Sequence, residues 1–328
     1  MYCYTRYRDA SLYLNFSQKQ VDFPGLIQPQ YLTMSQREIQ AIQDQITSLP
    51  KLPATVNRVL ATTAGSKSRT NDLVQAIQPD QAMCSTILDI VNSTAYKLPK
   101  KVQTIKRAVE VLGFDEIKNL IIGKAILAFF PKHGKDYIQG IGVFWEHAFT
   151  CGIMAKIIGE HYLLSPSELF ISGLIHDIGK LVMLSAFPNR YPLLEVNSLA
   201  SHFQATGAEL EQFGTKHDAV GLQLAKHWSL PEQLASAIGY HHTPDAAPHF
   251  KQQPMIVQVA DILSLMYCCS EITEARDVQN IFEDFLAGTR ELWERNGLTL
   301  QPDTLGLWFE ILQDKREKDQ EILTLLSA

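Results

Sequence analysis

From Leu49 onward, apolar residues recur at three- and four-residue intervals, and strict apolar–polar alternation is nearly absent. That period gathers apolar side chains on one helical face, so the pattern predicts short amphipathic helices in close succession. The predicted segments are 54–64, 71–77, 81–92, 105–112 and 115–130. Val56, Val59 and Leu60 make the buried stripe of the first, and Leu73, Val74 and Ile77 repeat its spacing. Pro79-Asp80 ends one helix and caps the next. Thr104 is placed to cap 105–112, with Gly113 just past its end. A longer helix is expected over 144–162. Ser165-Pro166-Ser167-Glu168 then has the form of a start signal, with the acidic residue at the third helical position. That helix runs through Phe170, Leu174 and Ile175 into His176-Asp177, and further helices are predicted over 209–213, 218–227, 231–240, 254–268, 277–287 and 303–325. The expected fold class is all-α.

The two ends read differently. Residues 1–34 carry Tyr2, Tyr4, Tyr7, Tyr13 and Tyr31 with little helical period, and close on Pro24-Gly25-Leu26-Ile27-Gln28-Pro29-Gln30. They are expected to form a poorly ordered or loosely docked leader. Ser35-Gln36-Arg37-Glu38 resembles a capping box and opens a predicted helix over 35–47. Met34 directly precedes it and is a candidate start of translation, which N-terminal mass spectrometry of the native protein tests. After about Pro248 the chain carries Trp293, Trp308 and the run Asp314-Lys315-Arg316-Glu317-Lys318-Asp319. A charged run of mixed sign fits a solvated helix face better than a binding patch. Residues 250–328 are read as a C-terminal helical extension that either caps the bundle or docks as a small subdomain.

Composition narrows the function classes. The 328 residues are 46% hydrophobic and 20% charged, enough to bury a sizeable core. A net charge of −6 and a pI near 5.9 argue against nucleic acid or an acidic membrane as the main partner. Lys97, Lys100, Lys101, Lys106 and Arg107 make one modest basic stretch. Cys3, Cys84, Cys151, Cys268 and Cys269 are odd in number and lack disulfide or zinc-ribbon spacing, so thiols in a reducing compartment are expected. The pattern of a signal peptide is absent, and the longest unbroken apolar candidate, around 120–130, is interrupted by Gly123 and Lys124. The expected location is the cytoplasm.

Candidate chemistry centres on Ile175-His176-Asp177-Ile178-Gly179-Lys180. Adjacent helical residues point about 100° apart, so His176 and Asp177 can share one metal only where the helix ends or bends. Gly179 makes such a bend plausible. Alone, a buried His-Asp pair more often serves structure. The chain adds His147, His217, the tandem His241-His242, and Asp261, each in a predicted helix or at its end. Asp261 interrupts an apolar face with Val257, Ala260 and Leu265, and a buried carboxylate there needs a partner. Imidazole nitrogens and carboxylate oxygens converging from several helices suit one or two divalent ions among Fe, Mn, Zn, Ni and Co. Such a centre polarises phosphoryl oxygens and acidifies water. His133, His161, His202, His227 and His249 read as surface or loop residues.

This order of histidines and aspartates resembles the HD superfamily, and residues 48–246 more closely resemble the HDOD domain, the HD-related output domain of bacterial signalling proteins. The resemblance is carried by Leu49-Pro50-Lys51-Leu52-Pro53, Ile90-Val91-Asn92-Ser93-Thr94-Ala95-Tyr96, and Thr104 through Gly113. Phe144-Trp145-Glu146-His147 and Gly173 through Leu181 complete it. It implies a compact all-helical bundle acting by protein–protein interaction, with a sensor kinase, response regulator or diguanylate cyclase as the kind of partner and no turnover required. Many relatives have lost the metal residues. Here His147, His176, Asp177, His217, His241, His242 and Asp261 fall where an HD-type di-metal site draws its ligands. The alternative the resemblance carries is therefore a metal-dependent phosphohydrolase or phosphodiesterase. In it Asp177 bridges two metals and Lys180, the lysine after the pair, offsets phosphate charge. A third reading leaves the cluster purely structural. Thr243-Pro244-Asp245-Ala246-Ala247-Pro248 stands in place of the Gly-Tyr-Pro loop of HD-GYP enzymes, so cleavage of a cyclic dinucleotide is not implied. Neither a phosphate-cradling Gly-rich loop nor a nucleophile elbow is present.

Overall fold

In the computed structural model, which describes residues 29–63, 70–94, 96–129, 135–191, 199–268 and 289–327, helix follows helix with no strand among the described residues. The elements are α1 (Pro29–Ser48), α2 (Ala54–Thr63), α3 (Thr70–Ile77), α4 (Gln81–Val91), α5 (Ile105–Leu112), α6 (Phe114–Leu127), α7 (Lys135–His161) and α8 (Pro166–Ile175). There follow α9 (Ile178–Ala186), α10 (Leu199–Phe213), α11 (His217–His227), α12 (Glu232–Tyr240), α13 (Gln252–Cys268), α14 (Thr289–Arg295) and α15 (Pro302–Ser327). A 3-10 turn, Pro244–Ala246, links α12 to α13.

The axis of the fold is the α7–α8 hairpin, which α13 covers on one side. These helices approach to backbone contact: a Cβ on Gly173 would lie 2.8 Å from the Cys151 carbonyl group and from the Cα of Gly152. Phe149, Ile153, Ile157, Leu169, Ile171 and Leu174 are buried along the seam. Each such side chain contributes about 1.5–3 kcal/mol relative to exposure. Residues Ile141–His161 and Pro166–Ala186 are long and apolar enough to cross a membrane by composition, yet 78% and 83% of those windows are buried inside the protein. Their hydropathy matches that of core helices.

Local signals explain several boundaries. Asp80 accepts from the Met83 amide at 3.0 Å and from the Thr55 hydroxyl at 2.8 Å, tying the start of α4 to α2. Thr104 accepts from the Arg107 amide at 3.1 Å, and Gly113 (φ 92) closes α5. Ser165 does precede α8, with Pro166 in its first turn, but its side chain makes no capping bond. Glu168 is approached instead by the Gln253 amide of α13 at 3.4 Å.

Elsewhere the helices run longer than their apolar stripes. α1 begins at Pro29, where a proline is tolerated because first-turn amides lack helical partners. Ser35 is thus inside the helix rather than at its start. Glu38, 6% exposed, pairs with Arg190 at 2.9 Å. α7 starts at Lys135 rather than 144, and α10 at Leu199 rather than 209, because helix propensity carries them past the ends of the apolar pattern. α14 was not foreseen, while the helix expected over 277–287 lies outside the described residues, as do residues 1–28.

α1 lays Ile42 and Ile46 against α9 and α11. At the other end, α15 packs on α7, α4 and α6, capping the bundle. Trp293 and Trp308 are buried beside Tyr162, whose hydroxyl donates to the Thr299 carbonyl at 2.6 Å. Cys84, Cys151 and Cys268 are free thiols.

Candidate metal centre

The α8 helix ends at the His-Asp pair. His176 is its C-terminal boundary residue, and Asp177 (φ −94, ψ 12) stands between it and the new helix α9. The break lets both side chains address one point. Gly179 does not supply the bend. A Cβ there would fall 1.9 Å from the His217 carbonyl oxygen and 2.7 Å from the Gly221 amide, so the glycine is needed for the close approach of α9 to α11.

That approach puts His217, first residue of α11, over Asp177. Its Nε2 lies 3.1 Å from Asp177 Oδ1, and His241 Nε2 lies 3.6 Å from the same oxygen. His242 Nε2 is 3.0 Å from His217 Nε2. The other carboxylate oxygen faces the α7–α13 side. Asp177 Oδ2 is 3.3 Å from His176 Nε2, 3.8 Å from His147 Nε2 and 2.5 Å from Lys180 Nζ. Asp261, from α13, approaches His147 Nε2 at 3.1 Å and His176 Nε2 at 3.6 Å. All seven residues singled out in the sequence, together with Lys180, thus meet in one pocket. Two groups emerge whose nearest ligand atoms lie within 4.8 Å of one another, and Asp177 belongs to both. One is Asp177, His217, His241 and His242; the other is His147, His176 and Asp177.

The ring orientations follow from what lies behind them. The Nδ1 atoms of His176 and His241 face the Gly173 and Ile238 carbonyls, at 2.7 and 2.9 Å. A carbonyl only accepts, so each Nδ1 carries the proton and each Nε2 is turned inward. His147 Nδ1 lies 3.2 Å from the Ser264 hydroxyl, which donates onward to the Asp261 carbonyl at 2.8 Å and is left to accept from the ring. His217 Nδ1 lies 2.8 Å from Glu209 Oε2. The pocket is almost closed to bulk solvent: His176 and His241 are fully buried, and of the seven donors only His242 is part-exposed.

Charge in this space is tightly matched. Burial alone would raise the Asp177 carboxyl, but His176, Lys180 and His217 hold it well below the ordinary carboxylate range. Burial disfavours the charged form of His176, yet Asp177 outweighs it and the imidazole sits well above its usual value. His217 is likewise opposed by burial and carried up to about 9, chiefly by Glu209. His147 and His241 go the other way, lowered by desolvation. Lys180 is raised, the Asp177 carboxylate overcoming its burial.

Does this set fit a divalent ion? His147 Nε2, His176 Nε2 and Asp177 Oδ1 are buried and close to charged neighbours, yet make no well-aligned hydrogen bond. Buried polar atoms are normally satisfied, and imperfect alignment of several donors around one carboxylate is what a cation would resolve. The residues fit.

Glu209, Tyr191 and Ser264 belong to this site and were not anticipated. Glu209 shares a helical face with buried Phe213 four residues on, the same sign of a carboxylate in an apolar stripe that marked Asp261. Ser264 follows Asp261 by one helical turn, and nothing in the sequence distinguishes it. Among the remaining histidines, His161 and His249 are exposed and His227 lies beside Lys51. His133 and the side chain of His202 fall outside the described residues.

A sequence model of the HDOD domain matches residues 49–244. A protein of Treponema pallidum without assigned function is 26% identical over 226 residues, 67% of this chain and 42% of that protein. Ribonuclease Y of Desulfotalea psychrophila is 31% identical over 119 residues, 36% of this chain and 16% of the enzyme. The chain therefore spans less than half the length of these curated relatives. Among solved structures, a candidate phosphohydrolase from Shewanella amazonensis superposes with a TM-score of 0.65 at 22% identity, covering 87% of this chain and 98% of that one. A candidate signal-transduction protein from Marinobacter aquaeolei gives 0.64 at 18% identity, covering 90% and 66%. An HDOD domain protein of unknown function from Geobacter sulfurreducens gives 0.61 at 23%, covering 87% and 98%. At these identities the likeness establishes the all-helical fold.

Proposed function

Because the chain belongs to the HDOD domain family and still gathers a full set of histidine and aspartate donors, we propose that it is a metal-dependent phosphohydrolase centre carried on a signalling domain. The observation that carries this reading is the division of the Asp177 carboxylate. Oδ1 faces His217 and His241, while Oδ2 faces His147 and His176, an arrangement suited to two cations sharing one carboxylate. Divalent ions held there would supply Lewis acidity toward a phosphoryl oxygen. The chain's own residues do the rest. Asp177 and the two histidine groups fix positions, with Asp261 adding negative charge on the His147 side. Lys180 brings a buried ammonium, held by Asp177, to a place where it can offset charge on a phosphate. His242 marks the side from which a substrate can approach.

A second reading is favoured by the burial of the other donors. In it, metal clamps five helices together in an adaptor that docks a sensor kinase, response regulator or diguanylate cyclase in the cytoplasm. One experiment separates the two. Protein purified without a histidine tag is analysed for metal, loaded with Mn2+, Fe2+ or Zn2+, and assayed on p-nitrophenyl phosphate and its bis-ester. Two equivalents of metal with turnover, both lost in Asp177→Asn, support the hydrolase. Two equivalents without turnover support the clamp, and no bound metal under any loading overturns both.

A further inference from the structure

His217 differs from His147, His176 and His241 in what stands behind it. His176 and His241 rest on neutral carbonyls and His147 on a hydroxyl, whereas His217 rests on a carboxylate. Glu209 is 4% exposed and accepts from three donors. The His217 amide reaches Oε2 at 2.9 Å, His217 Nδ1 reaches Oε2 at 2.8 Å and Oε1 at 2.9 Å, and the Tyr191 hydroxyl reaches Oε1 at 2.6 Å. One carboxylate thereby fixes both the backbone start of α11 and the rotation of its first side chain. Tyr191 is itself buried, on the turn after α9, and its neighbour Arg190 packs over Phe187 and Phe213 and pairs with Glu38 of α1.

We propose that Glu209, aligned by Tyr191, is a positioning residue that sets the ring and donor strength of His217 and so makes the His217–His241–His242 group the tighter-binding half of the pocket. This rests on the metal-dependent reading given above. A carboxylate behind an imidazole holds the Nδ1 proton, orients Nε2 and raises its basicity as a donor. Removing such a partner costs about 10- to 100-fold in metal affinity. A purely structural role for Glu209 as a cap of α11 predicts lower stability of the metal-free protein and no change in affinity once folded.

The test uses the full chain with Zn2+ alone as probe, competed against a chromophoric chelator at a temperature where metal-free protein is folded. Glu209→Gln keeps the size but turns one oxygen into an NH2 group facing a donor. It is expected to weaken the tighter Zn2+ site about 10- to 100-fold. Tyr191→Phe removes one of the aligning bonds and is expected to weaken it by a smaller factor. Affinities equal to wild type in both folded variants overturn the proposal. Should Glu209→Gln fail to fold, Tyr191→Phe decides alone. A second readout does not depend on metal: the Nδ1 proton of His217, resolved in 15N-edited spectra of the metal-free protein. It is expected as a downfield, slowly exchanging signal that disappears in Glu209→Gln and shifts in Tyr191→Phe. Wild-type protein that takes up no Zn2+ defeats the functional reading, while absence of that proton signal defeats this one.

Discussion

Substituting Gly179 by alanine tests whether the pocket depends on the contact between α9 and α11. The added Cβ would stand 1.9 Å from the His217 carbonyl oxygen, 2.7 Å from the Gly221 amide and 2.8 Å from the His217 carbonyl carbon. Ordinary contact begins near 3.4 Å, so the first of these pairs must separate by 3.4 − 1.9 = 1.5 Å. The obstructing atoms are backbone, and no side-chain rotation relieves them. Overpacking of this kind costs about 1–3 kcal/mol, and a rigid obstacle places Gly179→Ala at the upper end. A loss of about 3 kcal/mol corresponds to a fall in Tm of roughly 6–12 °C for a domain of 150–250 residues, toward the lower figure for a longer chain. The displaced residue is His217, so its 3.1 Å approach to Asp177 should open and metal affinity should fall with stability. Gly207 is the control. It lies in α10 with no atom within 4 Å of a Cβ, so Gly207→Ala should stabilise by about 0.5–1 kcal/mol through helix propensity. Differential scanning calorimetry of metal-free protein, followed by Zn2+ titration, measures both effects. A Gly179→Ala protein that melts and binds like wild type would refute the close-contact argument.

Three further outcomes are expected. Burial carries the Tyr162 phenol up to about 12, while an unfolded tyrosine ionises near 10. Its neutral form therefore stabilises the fold fully below about pH 10 and progressively less toward pH 12. Denaturation midpoints between pH 9 and 11 should fall more steeply for wild type than for Tyr162→Phe. Trp308→Ala should cost about 3–5 kcal/mol by urea unfolding, whereas Trp308→Phe should cost distinctly less, because the buried indole N–H it removes has no hydrogen-bond partner. Asp80→Ala should cost about 1–2 kcal/mol by the same assay, since it strips both the α4 cap and the acceptor of the Thr55 hydroxyl.

The helical class was legible because periodicity reports burial directly, as Val56, Val59, Leu73 and Ile77, all fully buried, illustrate. The α4 and α5 starts were legible because a cap is a local device written in two or three residues. Helix starts set by propensity alone, as in α7 and α10, had no such marker. The convergence of His147, His176, Asp177, His217, His241, His242 and Asp261 could be anticipated from residue type and order. What lay behind the rings could not, because Gly173 and Ile238 contribute through carbonyl oxygens that every residue possesses. Gly179 suggests a bend when read from the sequence, and the true cause, the backbone of His217 and Gly221 in a distant helix, has no signature near the glycine itself.

The match to the HDOD domain ends at residue 244, yet Asp261 and Ser264 come from a helix that begins at Gln252. Ile42 and Ile46, which cover α9 and α11, precede the match on the other side. An excised 49–244 fragment would therefore expose an apolar floor and carry an incomplete set of oxygen donors. Recombining that segment alone onto another signalling protein would carry six of the seven clustered donors but leave behind Asp261 and the helix that supports it, so the unit that gene fusion must move intact is larger than the recognisable domain.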